Sequence, residues 1–107
     1  MVMPSLEQLE KLLAADPGDA FLLYGLAQEH AKQGEAAGQA RAVEYYDRCL
    51  AVDPGYCYAY YHKARTLEAM GKQEAAVATL RAGLKVAKET GDSHAASEIS
   101  ALLDELT

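Results

Sequence analysis

Three histidines, His30, His62 and His94, have the spacing that first suggests chemistry. Successive members are 32 residues apart (62 − 30 = 94 − 62 = 32), and imidazole is both a metal ligand and an acid–base group. No set of cysteines or carboxylates accompanies them at ligand spacing. The chain also lacks a P-loop, a G-x-G-x-x-G motif, an H-E-x-x-H motif and a nucleophile elbow. We therefore predict no metal site, no cofactor and no enzyme activity.

A second concentration of functional side chains follows the turn Asp53-Pro54-Gly55. Four tyrosines, one histidine and one arginine lie within residues 56–65. Aromatic rings and guanidinium groups bury a large area for few rotatable bonds, and they are enriched where proteins contact partners. The chemistry that these residue types predict is recognition rather than catalysis.

Length and charge limit the class of protein. The 107 residues, half of them apolar, predict one domain over residues 1–107 with a core that needs no metal or disulfide. The net charge is −6, and no cluster of lysine and arginine is present, so we expect neither nucleic acid nor a membrane surface as partner. No secretory signal or apolar span is apparent, which predicts a cytoplasmic protein. Cys49 and Cys57 are predicted to be buried thiols.

Helical periodicity and end signals divide the chain into six predicted helices. Ser5 and Gln8 form a capping box for the first, whose stripe is Leu6, Leu9, Leu12 and Leu13. Asp19 caps the second helix, which closes near Gln33-Gly34, and residues 35–38 are predicted to be a loose turn before the third. The fourth runs from about Tyr56 to Met70, the fifth from Gln73 to Gly91, and the sixth follows Asp92-Ser93. No segment alternates with a period of two, so the fold class is all-α.

The turn sequence Asp-Pro-Gly occurs twice, with Pro17 and Pro54 37 residues apart (54 − 17 = 37). This pattern resembles the tetratricopeptide repeat, whose period is about 34 residues. Large and small residues fall in that family's slots, with three extra residues in the first repeat that we assign to the turn at residues 36–38. The slots are occupied by Leu23, Leu26, Ala27, Gly34, Ala42, Tyr46 and Pro54, and then by Tyr60, Ala64, Leu67, Gly71, Ala76 and Leu80.

The resemblance implies an array of helical hairpins with two full tetratricopeptide repeats, a capping helix before them and another after them. In this family the first helix of each repeat lines a concave groove that binds a protein or peptide, which would make this chain a protein-binding scaffold. An acidic residue or a C-terminal carboxylate of the partner would then face Arg65 and Lys63. By that resemblance the groove would be lined by Phe21, Tyr24 and Gln28 from the second helix and by Tyr58, Tyr61, His62 and Arg65 from the fourth.

Several alternatives stay open at this point. Tyr58 and Tyr61 would bind nothing if they only packed against their neighbours or the terminal helix. A structural role is the alternative function, with a homodimer formed through the leucine-rich first helix or the last helix. Asp104 and Glu105 are either a solvated face or lie against Arg81 and Lys85 of the fifth helix. His30 is predicted to be a partly buried packing residue.

Overall fold

The computed structural model describes residues 5–107, which form six α-helices. They are α1 (Leu6–Ala15), α2 (Ala20–Lys32), α3 (Ala36–Val52), α4 (Cys57–Ala69), α5 (Gln73–Thr90) and α6 (Ser93–Leu106). No strand occurs within this described range. The prediction of an all-α chain of six helices is confirmed.

The chain divides into two compact units, and the boundary falls in the Asp53-Pro54 turn. Pro54 has no N–H to donate and disfavours a helical residue before it, which explains why α3 stops here. The prediction of one domain over residues 1–107 stays a prediction.

The first unit contains α1, α2 and α3, with α2 packed on both of the others. The predicted capping box closes the start of α1, since the Gln8 amide donates to Ser5 Oγ (3.2 Å) and the Ser5 amide donates to Gln8 Oε1 (2.8 Å). Asp19 caps α2 as predicted, with its Oδ1 accepting from the Leu22 amide at 3.1 Å. The buried apolar residues of this unit are Leu13, Leu23, Leu26, Ala27, Ala42, Tyr46 and Cys49.

The predicted loose turn at residues 35–38 is wrong, because α3 already begins at Ala36. Alanine is the strongest helix former, and Gly38 serves close packing instead of a turn. A Cβ on Gly38 would lie 2.8 Å from the His30 carbonyl oxygen, so only glycine fits this approach of α3 to α2. Ala20 and Cys57 begin the first helices of the two hairpins, 37 residues apart (57 − 20 = 37). The three extra residues therefore lengthen a helix and leave the turn short.

The second unit contains α4, α5 and α6, in which α5 packs on both neighbours and α4 also touches α6. Gly91 takes a left-handed conformation (φ 75°) that ends α5, and the Asp92 carboxylate then caps α6 by accepting from the Ala95 amide at 3.0 Å. The predicted stop and restart at residues 90–93 is thus confirmed. The buried apolar residues are Cys57, Ala59, Ala64, Leu67, Ala76, Leu80, Ala87, Ala95, Ile99 and Leu102.

One predicted stripe is narrower than the sequence suggested. Leu13 of α1 is buried and Leu6 and Leu9 are half-buried, but Leu12 leaves 51% of its surface in solvent. A helix packed against a single neighbour covers only a narrow arc, and Leu12 lies outside it. The predicted burial of both thiols is confirmed, since Cys49 and Cys57 are free and buried.

Candidate functional site

The turn before α4 is held by side chains that return to it. Tyr60 donates its hydroxyl to the Pro54 carbonyl (3.1 Å), and the Cys57 thiol donates to the Gly55 carbonyl (3.4 Å). Tyr60 also lies against Gly83 of α5, where an added Cβ would come within 2.6 Å of the Tyr60 Cβ. These contacts pack Tyr60 against the turn and α5 and fix the start of α4 for the residues around it.

Four predicted site residues of α4 lie together on one side of that helix. Tyr58, Tyr61, His62 and Arg65 follow the i, i+3, i+4, i+7 spacing that places residues on one helical face. Arg65 Nη1 donates to the Tyr61 hydroxyl at 3.3 Å, and the Tyr61 and His62 rings meet edge to face with centroids 5.1 Å apart. None of the four is buried: Arg65 is exposed and the others are half-buried.

The terminal helix α6 faces part of this surface. The Tyr58 ring lies 6.3 Å from the His94 ring, and His94 Nε2 is 3.3 Å from Glu98 Oε1. Tyr58 therefore does pack against the terminal helix, as one alternative predicted, while Tyr61 contacts its own helix neighbours. Partial packing of this kind restricts the rotamers of the rings and leaves part of each ring accessible.

The local charges alter the acid–base behaviour of these side chains. Burial lowers the pKa of His62 and the Arg65 charge lowers it further, while Glu98 opposes both effects. Desolvation raises the pKa of Tyr58, with the carboxylates of Glu98 and Asp92 adding to the shift. Near neutral pH His62 is therefore a neutral imidazole and Tyr58 a protonated phenol, and both lie on the same helix face as the Arg65 cation.

Two carboxylates of α6, Glu98 and Glu105, act on side chains of α4. For Glu105 the sequence left two alternatives open, a solvated face or a contact with Arg81 and Lys85 of α5. Glu105 instead contributes to the raised pKa of Arg65, behind the larger effect of the Tyr61 hydroxyl. Lys85 lies 4.0 Å from Glu89 on its own helix. The seven-residue spacing of Glu98 and Glu105 was the sequence signal for their common face.

The three predicted site residues of the first unit lie along α2. Phe21 is 71% exposed, which is unusual for a phenylalanine. Tyr24 and Gln28 are half-buried and joined to each other, because Gln28 Nε2 donates to the Tyr24 hydroxyl at 3.2 Å. The Tyr24 ring lies 6.1 Å from that of Tyr46, whose pKa is raised chiefly by burial and further by Tyr24. Phe21 is thus the accessible member of the three.

His30, the first of the three evenly spaced histidines, is a core residue. It is 9% exposed and stacks on Tyr45 with centroids 5.5 Å apart and ring planes 10° apart. Within the described part of the chain, no three His, Cys, Asp or Glu side chains group as a metal ion would need. The packing role predicted for His30 is confirmed.

The sequence of this chain is similar to those of known proteins. A sequence model described as "Tetratricopeptide repeat" matches residues 45–78, which span the end of α3, all of α4 and the start of α5. A TPR repeat-containing protein of Pseudomonas aeruginosa is 32% identical over 101 residues, covering 94% of this chain and 93% of the relative. The chain belongs to the tetratricopeptide-repeat family.

Solved structures agree with this tetratricopeptide-repeat assignment. The solution structure of a tetratricopeptide repeat domain protein from Salinibacter ruber is 32% identical, with a TM-score of 0.76 over 85% of this chain and 89% of that one. The TPR2B domain of yeast Sti1, solved in a complex with pHsp70, shares the fold at 23% identity, with a TM-score of 0.85 over 94% of this chain and 78% of that one. Two full tetratricopeptide repeats, flanked by α1 and α6, are thus the fold of this chain. From residue 5 to residue 107, no helix is long and apolar enough to cross a membrane.

Proposed function

We propose that this tetratricopeptide-repeat protein is a binding module that holds a peptide or a segment of a partner protein on the first-helix faces of its repeats. In the second unit the contact surface is Tyr58, Tyr61, His62 and Arg65 of α4. The observation that carries the proposal is that all four share one face of α4 and that none is buried in the core. A purely structural helix has no need of three aromatic rings and an arginine on its accessible side.

The chemistry of this face favours a partner with a carboxylate. Arg65 is exposed, and its guanidinium is oriented by the Tyr61 hydroxyl, so it is prepared for a charge-assisted hydrogen bond. Glu68 and Glu105 also lie close enough to affect Arg65, and a bound carboxylate would compete with them. The rings of Tyr58 and Tyr61 would cover the peptide beside that anchor. Yeast Sti1, whose TPR2B domain shares this fold, provides a precedent for a partner complex.

In the first unit, we propose that Phe21 is the main contact residue, with Tyr24 and Gln28 beside it. Burying an exposed phenylalanine contributes roughly 1.5–3 kcal/mol, so Phe21 is the strongest apolar anchor available on α2. The single groove expected to include both α2 and α4 stays a prediction.

The test is affinity capture from lysate on the immobilised chain, followed by mass spectrometry. The parent is compared with a Tyr61→Ala, Arg65→Glu double variant, and Arg81→Glu on the exposed side of α5 serves as the charge-matched control. We expect the double variant to lose the partners that the parent and the control both retain. Equal recovery by a double variant with a parental circular dichroism spectrum would contradict the proposal.

Self-association is the second candidate, and the exposed Leu12 of α1 is the observation that favours it. A leucine on the outer side of a terminal helix is a natural contact for a second copy. Sedimentation velocity across a wide concentration range separates the two functions. A monomer at every concentration removes self-association, whereas a dimer that Leu12→Glu dissociates supports it.

A further inference from the structure

The first unit contains a cavity of about 420 Å³ between α1 and α3. Leu13 and Ala14 of α1, with Pro17 of the turn after it, form an apolar wall. Arg41, Tyr45 and Arg48 line the opposite side from α3. No residue of α2 lines this cavity, so it is separate from the Phe21, Tyr24 and Gln28 face. None of its residues belongs to the predicted contact set.

Both arginines of this cavity have charge available for a ligand. Across residues 5–107, neither Arg41 nor Arg48 forms an ion pair, and both are exposed. Glu10 is the one carboxylate in the lining, so the cavity has an excess of positive charge in a chain whose net charge is −6. Glu44 and Asp47 share α3 with the arginines but do not line the cavity. The local charge therefore favours an anionic ligand.

The aromatic residue between the arginines is held in a fixed position. Tyr45 stacks on the buried ring of His30, and the Arg48 guanidinium carbon lies 5.3 Å from the Tyr45 ring centroid. Such a cation–π contact fixes the guanidinium without using its five N–H donors. Arg48 can therefore donate two parallel hydrogen bonds to a carboxylate with little loss of side-chain entropy.

The spacing of the charges selects the form of the ligand. Arg41 and Arg48 are two helical turns apart, which is about 10 Å along the axis at about 1.5 Å per residue. A polyproline II segment has three residues per turn and rises about 3.1 Å per residue, so residues three apart lie on one side about 9 Å from each other.

We propose that the α1–α3 cavity binds an extended acidic peptide whose two carboxylates, three residues apart, contact Arg41 and Arg48. An apolar side chain between them packs on Leu13, Ala14 and Pro17, beside the Tyr45 ring. Nucleic acid fits less well, because its phosphates continue past the two arginines onto an acidic protein surface. The site is additional to the α4 surface and does not depend on that surface being functional.

The test uses the peptide acetyl-Gly-Asp-Leu-Pro-Asp-Gly-amide, titrated into the ¹⁵N-labelled chain and followed by NMR. We expect saturation by about 1 mM peptide, with shifts concentrated at Ala14, Tyr45 and Arg48. The affinity should fall steeply between about 0.01 M and about 1 M salt, as the Debye length drops from about 30 to about 3 Å. Arg41→Glu and Arg48→Glu should each weaken binding by about tenfold or more, which is about 1.4 kcal/mol.

Matched controls separate this site from a general charge effect. Arg81→Glu makes the same charge change on α5, outside the cavity, and should leave the affinity within about twofold. The same peptide with both aspartates replaced by asparagine should not bind. No shift at about 1 mM peptide, equal binding of the asparagine peptide, or an equal loss in Arg81→Glu would each overturn the proposal. A dimer that Arg48→Glu dissociates would also overturn it, because a second copy would then occupy the cavity.

Discussion

Replacing Gly83 with alanine tests the close packing of α4 on α5. In most helix interiors this change stabilises a protein by about 1 kcal/mol, because alanine is the better helix former. At Gly83 the new Cβ would lie 2.6 Å from the Tyr60 Cβ, 2.9 Å from the Tyr60 Cγ and 3.4 Å from the Ile99 Cδ1. The first two atoms are attached closely to the α4 backbone, so no simple rotamer change relieves the overlap.

The size of the destabilisation expected for Gly83→Ala follows from two opposing effects. Overpacking a well-filled core costs about 1–3 kcal/mol. Gly83→Ala lies at the upper end of that range, because the new Cβ would overlap with both the Cβ and the Cγ of Tyr60. Subtracting the gain of about 1 kcal/mol in helix propensity leaves a net destabilisation of about 2 kcal/mol. For a cooperative unit of this size, that lowers the Tm by about 8–16 °C.

Gly25 provides the matched control for this experiment. It also lies inside a helix, α2, but no heavy atom would lie within 4 Å of an added Cβ. Gly25→Ala should therefore stabilise the chain by about 0.5–1 kcal/mol. Urea unfolding followed by circular dichroism measures both changes. A Gly83→Ala protein as stable as the parent, or stabilised like Gly25→Ala, would refute the packing argument.

Three further predictions concern a cap, a thiol and a histidine. Asp19→Ala should lower the free energy of unfolding by about 1 kcal/mol in the same urea assay, because it removes the acceptor for the Leu22 amide. Asp16→Ala removes no side-chain cap, so it should change the free energy of unfolding by less than about 0.5 kcal/mol. Burial raises the pKa of Cys49 to about 11, and Asp53 adds to the shift. At pH 8 iodoacetamide should therefore label the Cys49 thiol far more slowly in the folded chain than in urea. Equal labelling rates would contradict the burial of Cys49. The lowered pKa of His62 means that the folded state binds fewer protons, so its contribution to stability falls as the pH drops through the unfolded value near 6.5. His62→Gln should therefore lose less stability than the parent between pH 7.5 and pH 5.5, and identical losses in urea titrations would refute the assignment.

Most of the helix ends could be predicted from the sequence, because the residues that cap a helix act locally. Ser5 with Gln8, Asp19, Gly91 and Asp92 act on amides or dihedral angles within a few residues, so the sequence around each predicts the helix end without reference to the rest of the chain. The error at residues 35–38 arose where the local signal was ambiguous. Glycine there is consistent with a turn, and only the approach of Gly38 to the His30 carbonyl shows why it is needed inside a helix.

The candidate site was predicted less completely than the fold. Periodicity placed Tyr58, Tyr61, His62 and Arg65 on one face, because residues three and four apart on a helix are neighbours. Nothing local indicated that His94 would lie beside Tyr58, or that Glu105 would act on Arg65 instead of on α5. Contacts between helices depend on how far each is rotated about its axis, and packing sets that rotation.

The sequence by itself determined the six helices, the family and the residue types of the recognition surface, because caps and periodicity act over one or two helical turns and the repeat spacing can be counted along the chain. Tertiary structure alone decided which side chains became accessible. It buried His30 beneath Tyr45, exposed Leu12 and Phe21, and left a cavity between Leu13 and the arginines of α3. The physical reason is that burial depends on which neighbouring helix covers a side chain, and the spacing of residues along one helix does not contain that information.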